Sequence, residues 1–358
     1  MSWIGLTDHT DGRFAPSGLA GDYSPSTLPD VLDRGTLMFE THLPEHTHQH
    51  DLFGGGKEGS GRSIMFRGAS DIGITMEQRH QSDVSHAAIR LVNEGRAQTV
   101  RVTYAWDVAS GWARLALEQP ESPRPITTVM HAPYPHKTKD LRDLMLGYSN
   151  RTLSKDVLFA ALSTEIVPIG TMPTLHPETP IATPDGYRSA RDLRRGDTVL
   201  TGSGDIVPVL HVVLNRLPAR GSFAPIRLHA PYFGLTQDII VGTEQRLVMQ
   251  GSEVEYTFGQ EAVLVSARHM VNGHAATWVA PGAIAEYVQI VLPGHEVLIA
   301  AGCPLESLFV GRLRRNKEKL AASVLADVPS RLLPEHAQPY HQVLRPFEAI
   351  TLLDQRAA

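Results

Sequence analysis

The sequence has a single cysteine, Cys303, in 358 residues. No intramolecular disulfide can form, and a zinc site built on cysteine thiolates is excluded. Basic residues are not in excess either. The 33 Lys and Arg stand against 38 Asp and Glu, for a net charge of -5. A chain-wide attraction for nucleic acid needs the opposite balance, so no nucleic-acid partner is expected. No apolar run approaches the roughly 20 residues of a membrane-spanning helix, so no membrane span is expected. The opening Met-Ser-Trp-Ile-Gly-Leu lacks a basic segment followed by an apolar one. A cytoplasmic location is therefore the default expectation, with export by a route that needs no such leader left open.

What the chain does have is punctuation. Its 30 Gly and 25 Pro are scattered along the whole length, which favours many short strands over long helices. The length itself favours two domains. The clearest local pattern spans Thr99 to Glu118. Val100, Val102 and Tyr104 alternate with Arg101 and Thr103, Asp107 to Gly111 supplies turn chemistry, and Trp112 to Leu117 returns as a second strand, which predicts a β-hairpin. Residues 1–34 read as an irregular lead-in and 35–167 as a β-sandwich. The prolines at 168 and 173 mark a linker over 168–173. Strands resume over 174–310, and 311–358 form an extension whose apolar spacing between Arg312 and Ala326 predicts a helix. The fold class expected is all-β, with two consecutive domains and a small helical addition.

Within the second half, four ordered segments carry a resemblance. They are Thr174 to Leu200 (with Pro-Ile-Ala-Thr-Pro-Asp-Gly and Asp-Leu-Arg-Arg-Gly-Asp-Thr-Val-Leu), Ile239 to Val248, Val263 to Gly273, and Tyr287 to Ser307 with its His-Glu-Val-Leu-Ile-Ala-Ala-Gly. Together they resemble the bacterial Hint domain, the Hedgehog/intein fold. The resemblance implies acyl transfer on the chain's own backbone. A Cys or Ser attacks the carbonyl just before it, a nearby His protonates the departing amide nitrogen, and in inteins a terminal His-Asn pair cleaves the far end.

This sequence departs from that pattern where the chemistry is done. Thr174 stands at the nucleophile's position, Gln245 at that of the proton-donating His, and Glu306-Ser307 where His-Asn would end an intein. His295 is the one matching ionisable residue. A hydroxyl is a weaker nucleophile than a thiol, and an amide exchanges no proton near neutrality. Thr174, Gln245 and His295 are thus expected to be a vestigial set, and the chain is expected not to act as an enzyme on itself. Two other readings stay open: slow self-cleavage at Pro173–Thr174 by an N–O acyl shift, and a lectin-like adhesion or particle-surface component.

Residues 35 to about 165 resemble a concanavalin-like or laminin-G-like jelly roll. The carriers are Leu37 to Glu40, Ser63 to Phe66, and Val100 to Asp107 followed by Gly111 to Leu117. The resemblance makes this domain a candidate for binding a glycan or protein. Trp106 and Trp112 are candidates for stacking on a sugar ring, although a Trp beside a hairpin is more often a packing residue. The strand pattern of paired carboxylates that a glucanase needs is missing. His46, His48 and His50 are weak candidates for metal ligands, set in a segment that reads as a solvated loop. Gly54 to Gly61 lacks the Gly-Lys-Ser/Thr ending of a phosphate loop. No cofactor is implied. The basic residues from Arg312 to Lys319 read as a solvated helix face.

Overall fold

The computed structural model describes residues 3–21, 28–43, 48–57, 61–69, 73–91, 97–120, 124–148, 150–170, 172, 174–280 and 282–357. The chain divides into two compact units, Met1–Gly170 and Thr171–Ala358.

In the first unit, seven strands form one sheet. Its order is Ile126–His131, Trp112–Glu118, Gln98–Asp107, Arg34–Leu43, Val157–Ser163, Trp3–Thr7, Gly12–Phe14. A second sheet has five strands, Thr152–Leu153, His50–Lys57, Arg62–Ala69, Gly73–His80 and Asp83–Ile89. Every pairing in both sheets is antiparallel. Side chains alternate across each strand, so Ile64 and Phe66 turn inward while Ser63, Met65 and Arg67 do not. Leu37, Phe39, Tyr104 and Trp106 of one sheet share a core with Phe53, Phe66, Ile74 and Met76 of the other. Phe39 and Phe66 meet edge to face at 5.1 Å. The unit is a jelly-roll-like β-sandwich. Its hairpin is the one expected, with Asp107 opposite Trp112 and Arg101 opposite Glu118.

Two features differ from the sequence reading. The lead-in is not irregular throughout: Trp3–Thr7 is buried along its length, between Val157–Ser163 and Gly12–Phe14. Its partner strand is distant in sequence, and the surrounding Gly, Ser and Pro hide the pattern. A helix also crosses this unit, α1 (Thr138–Leu146). It buries Leu141, Leu144 and Met145, three and four residues apart on one face. Gly147 ends it in the left-handed conformation at φ 77°.

Close packing places one sharp demand on a glycine. A Cβ on Gly35 would lie 2.7 Å from the Trp106 ring and 2.8 Å from the Ser163 carbonyl oxygen. Both obstacles are fixed, one a buried ring and one backbone. Gly35→Ala should therefore cost about 1–3 kcal/mol, the usual penalty for overpacking. Urea unfolding of the variant checks this, and an unchanged midpoint would contradict it.

In the second unit, the main sheet runs Gly186–Ser189, Pro180–Thr183, Val297–Ala300, Cys303–Glu306, Arg246–Gln250, Ala262–Ser266, Gln342–Val343. His211–Pro218 pairs over its whole length with Ile284–Val291. Ile226–Leu228 sits between Ile239–Val241 and Ala276–Trp278. Leu175 bridges both Val241 and Val288, which draws the opening of the unit into its middle. The apolar residues of these strands form one core with Leu344, Ala349 and Leu352 of the extension. Here α2 (Ser252–Phe258) lies against α4 (Pro346–Ala357), where Arg356 pairs with Glu253 at 2.6 Å.

The helix expected over 312–326 is shorter. It is a 3-10 turn, Leu313–Arg315, followed by α3 (Lys317–Ala322). The Asn316 side chain accepts the Lys319 N–H at 2.9 Å and starts the helix. Ser323 stops it: its hydroxyl donates to the Leu320 carbonyl and accepts the Leu325 N–H, offering the backbone an alternative to another turn. Arg314 and Arg315 both bond Glu335, so this one carboxylate offsets part of the basic patch.

Candidate functional site

Thr174 enters the second unit beside the strand that carries Val288, and it is buried. Its hydroxyl donates to the Val288 carbonyl at 3.1 Å, and its own carbonyl accepts the Gly242 N–H at 2.6 Å. A backbone carbonyl is no base, so this bond holds the hydroxyl without activating it. Pro173, whose carbonyl the acyl shift would use, lies outside the described residues.

Gln245 follows from the same turn, its N–H bonded to the Gly242 carbonyl at 3.1 Å. Its side chain is fully buried. Nε2 donates to the carbonyls of Arg246 (3.0 Å) and Glu306 (3.1 Å). Oε1 is buried without a partner, an arrangement that normally costs stability. The amide therefore cross-links two strands.

His295 stands just before the strand Val297–Ala300 and is likewise buried. The Tyr340 N–H donates to its Nδ1 at 2.8 Å. With Nδ1 an acceptor, the ring proton belongs on Nε2. Nε2 is 3.2 Å from the Ser307 carbonyl and 3.4 Å from a Glu306 carboxylate oxygen. Both ring nitrogens are thus occupied, one of them by the extension.

Thr174 and Gln245 meet through the Gly242 turn, and Gln245 and His295 through the Glu306–Ser307 backbone. The sequence reading missed the charges beside them. Arg246 reaches Glu306 at 3.2 Å, so Arg246, Glu306 and His295 form a mostly buried cluster. Only strand pairing could have revealed it: Leu247 opposite Leu305 sets Arg246 beside Glu306. The lone thiol takes no part. Burial pushes Cys303 up to about 12, leaving it protonated and unreactive.

In the first unit Trp106 is fully buried. It donates to the Leu32 carbonyl at 3.0 Å and stacks on Tyr104, so its ring offers no face to a sugar. Trp112 is half-buried, with the Arg114 guanidinium 5.8 Å from its ring centre. His46 lies outside the described residues. The exposed His48 lends its carbonyl to His50 Nδ1, and His50 Nε2 lies 3.4 Å from Asp156. Among the described residues no three acids, histidines or cysteines cluster as metal ligands would.

Residues 173–312 match the family model of the Hint domain. A search of curated proteins finds no match to the chain. Among solved structures, the gp41-1 intein is 14% identical over 38% of this chain and 98% of its own, with a TM-score of 0.25. A bacterial intein-like domain from Clostridium thermocellum is 10% identical over 38% and 100%, with a TM-score of 0.29. The CBM40 of the Ruminococcus gnavus IT-sialidase, bound to α2,3-sialyllactose, is 14% identical over 47% and 89%, also at 0.29.

Proposed function

We propose that this protein works by binding rather than by cutting itself: the Hint domain is a non-reactive module, and the β-sandwich carries the ligand-binding surface. The observation that supports this best is the Gln245 side chain. It donates to two backbone carbonyls in a buried site where proton transfer would be required. Gln245 can neither donate a proton to a leaving amine nor recover one. The Thr174 hydroxyl faces a carbonyl rather than a base, and His295 has both nitrogens engaged.

The test is the intact mass of the purified, protease-free chain followed over days at neutral pH. A single undivided species is expected. Two fragments meeting at Pro173–Thr174, absent in Thr174→Ala, would overturn the proposal in favour of slow self-cleavage.

A further inference from the structure

The sandwich unit carries a cavity of about 260 Å³. Its walls come from the strands Arg62–Ala69 and Gly73–His80, the loop before α1, and α1 itself. It is smaller than the roughly 300–1,000 Å³ of sites for drug-sized molecules, which suits one small polar ring.

Charge distinguishes it from the rest of the molecule. Five cations line it, Arg62, Arg79, Lys137, Lys139 and Arg151, against two acids, Asp140 and Asp143. The chain as a whole is negative at -5. Arg79 is drawn to Glu77 at 2.7 Å, and Asp143 to Arg142 at 3.0 Å. Lys137 and Lys139 have no acidic partner among the described residues. The amino end of α1 adds positive potential, and no side chain caps it. Field lines from such a cluster converge in a concave site and favour an anion.

A second observation is independent of charge. His80 Nε2 is buried and has no hydrogen-bond partner, while its ring and that of Tyr134 meet edge to face with centres 4.5 Å apart. Beside it Gln78 is buried and fixed, accepting from the Tyr104 hydroxyl at 3.1 Å and reaching His136 at 3.4 Å. Nε2 itself has no exposed surface, but its ring lines the cavity and is only partly buried, so a small turn of the ring brings this unsatisfied nitrogen to a ligand hydroxyl or amide without displacing another bond. At the rim, Tyr148 is 59% exposed and offers a flat face to a ring.

We infer that this cavity binds a sugar acid, a single pyranose unit bearing a carboxylate. Lys137 and Lys139 hold the carboxylate, His80 Nε2 pairs with a ring hydroxyl, and Tyr148 covers one face. This rests on the reading of the sandwich as the ligand-binding module and adds the class of ligand.

The experiment titrates the full chain calorimetrically with glucuronate, galacturonate and N-acetylneuraminate, and with glucose and inorganic phosphate as comparisons. At least one acid should bind saturably below about 10 mM. Glucose and phosphate should bind at least tenfold more weakly. Lys137→Glu should weaken the acid about tenfold or more, as expected for losing a charge-assisted bond. His80→Phe should weaken it several-fold, and both variants should keep the parent's urea midpoint. Phosphate binding as tightly as the best acid would mean a bare anion site and overturn the inference. So would binding that is indifferent to both substitutions. A glycan array separates the two levels. Capture of neutral glycans alone overturns the sugar acid but leaves the binding module standing, and no capture with no titration removes both.

Discussion

Thr174→Cys combined with Gln245→His should give this chain a thiol-dependent break at the Pro173–Thr174 bond. In the parent, the nucleophile's position holds a hydroxyl bonded to the Val288 carbonyl, and the donor's position holds an amide. The double variant supplies both missing groups. The thiolate sulfur would attack the Pro173 carbonyl carbon, and the C–N bond would break. The imidazole would give its proton to the departing nitrogen, leaving a thioester and a free amine on residue 174. A placed general acid contributes about 10²–10⁴-fold, and a thiol is already partly ionised at neutral pH. Dithiothreitol or hydroxylamine should then release a fragment ending at Pro173, read by mass. Each single variant should release less, because nucleophile and acid act as a unit. Absence of any thiol-dependent release from a double variant with a normal melting curve would show that these two positions do not flank the bond.

Arg101→Met should be the most damaging single substitution in the sandwich. Arg101 stands in a cross-strand row with Glu40 on one side and Glu118 on the other, and all three are at most 3% exposed. Its guanidinium meets Glu118 through two contacts of 3.2 Å, the side-on geometry that suits a carboxylate. Glu118 also accepts the Gly170 N–H at 2.7 Å. Methionine would fill much of the volume but leave the buried Glu118 carboxylate without the guanidinium that pairs with it. Removing one partner of a buried pair costs about 3–5 kcal/mol, a large share of a typical domain's stability of about 5–15 kcal/mol. Urea unfolding measures it directly. A loss below about 1 kcal/mol would mean that water or another cation reaches the row.

The sequence made local features legible and hid those that depend on distant pairing. The hairpin around Asp107–Gly111 could be read because both strands and their turn lie within twenty-odd residues and alternate cleanly. The ordered segments from Thr174 to Ser307 located Thr174, Gln245 and His295, which the fold joins by short hydrogen-bonded links. Glu306 stands out only as a departure from the intein ending, and its pairing with Arg246 went unforeseen because Arg246 is not unusual on its own strand. Only the register opposite Leu305 makes them neighbours. In the sequence Arg101 only alternates with Val100 and Val102, and its burial depends on the distant strand Arg34–Leu43 that flanks it on the other side. Trp3–Thr7 was obscured because its partner, Val157–Ser163, lies more than a hundred residues away. The cavity beside α1 was equally hidden. Lys137 and Lys139 are unremarkable until the start of α1 sets both at one cavity.

The strand Gln342–Val343 lies beyond the Hint match, which ends at residue 312, yet it completes the main sheet of that unit by pairing in parallel with Val263–Leu264. A fragment cut at the limit of the match would bare the outer flank of Ala262–Ser266, five buried residues of the sequence Ala-Val-Leu-Val-Ser. An apolar strand with unsatisfied amides is a template for adding further strands. The tail therefore covers the flank at Val263 and Leu264 and adds Leu344, Ala349 and Leu352 to the core, so the folding unit of the second half is larger than the region that matches the family.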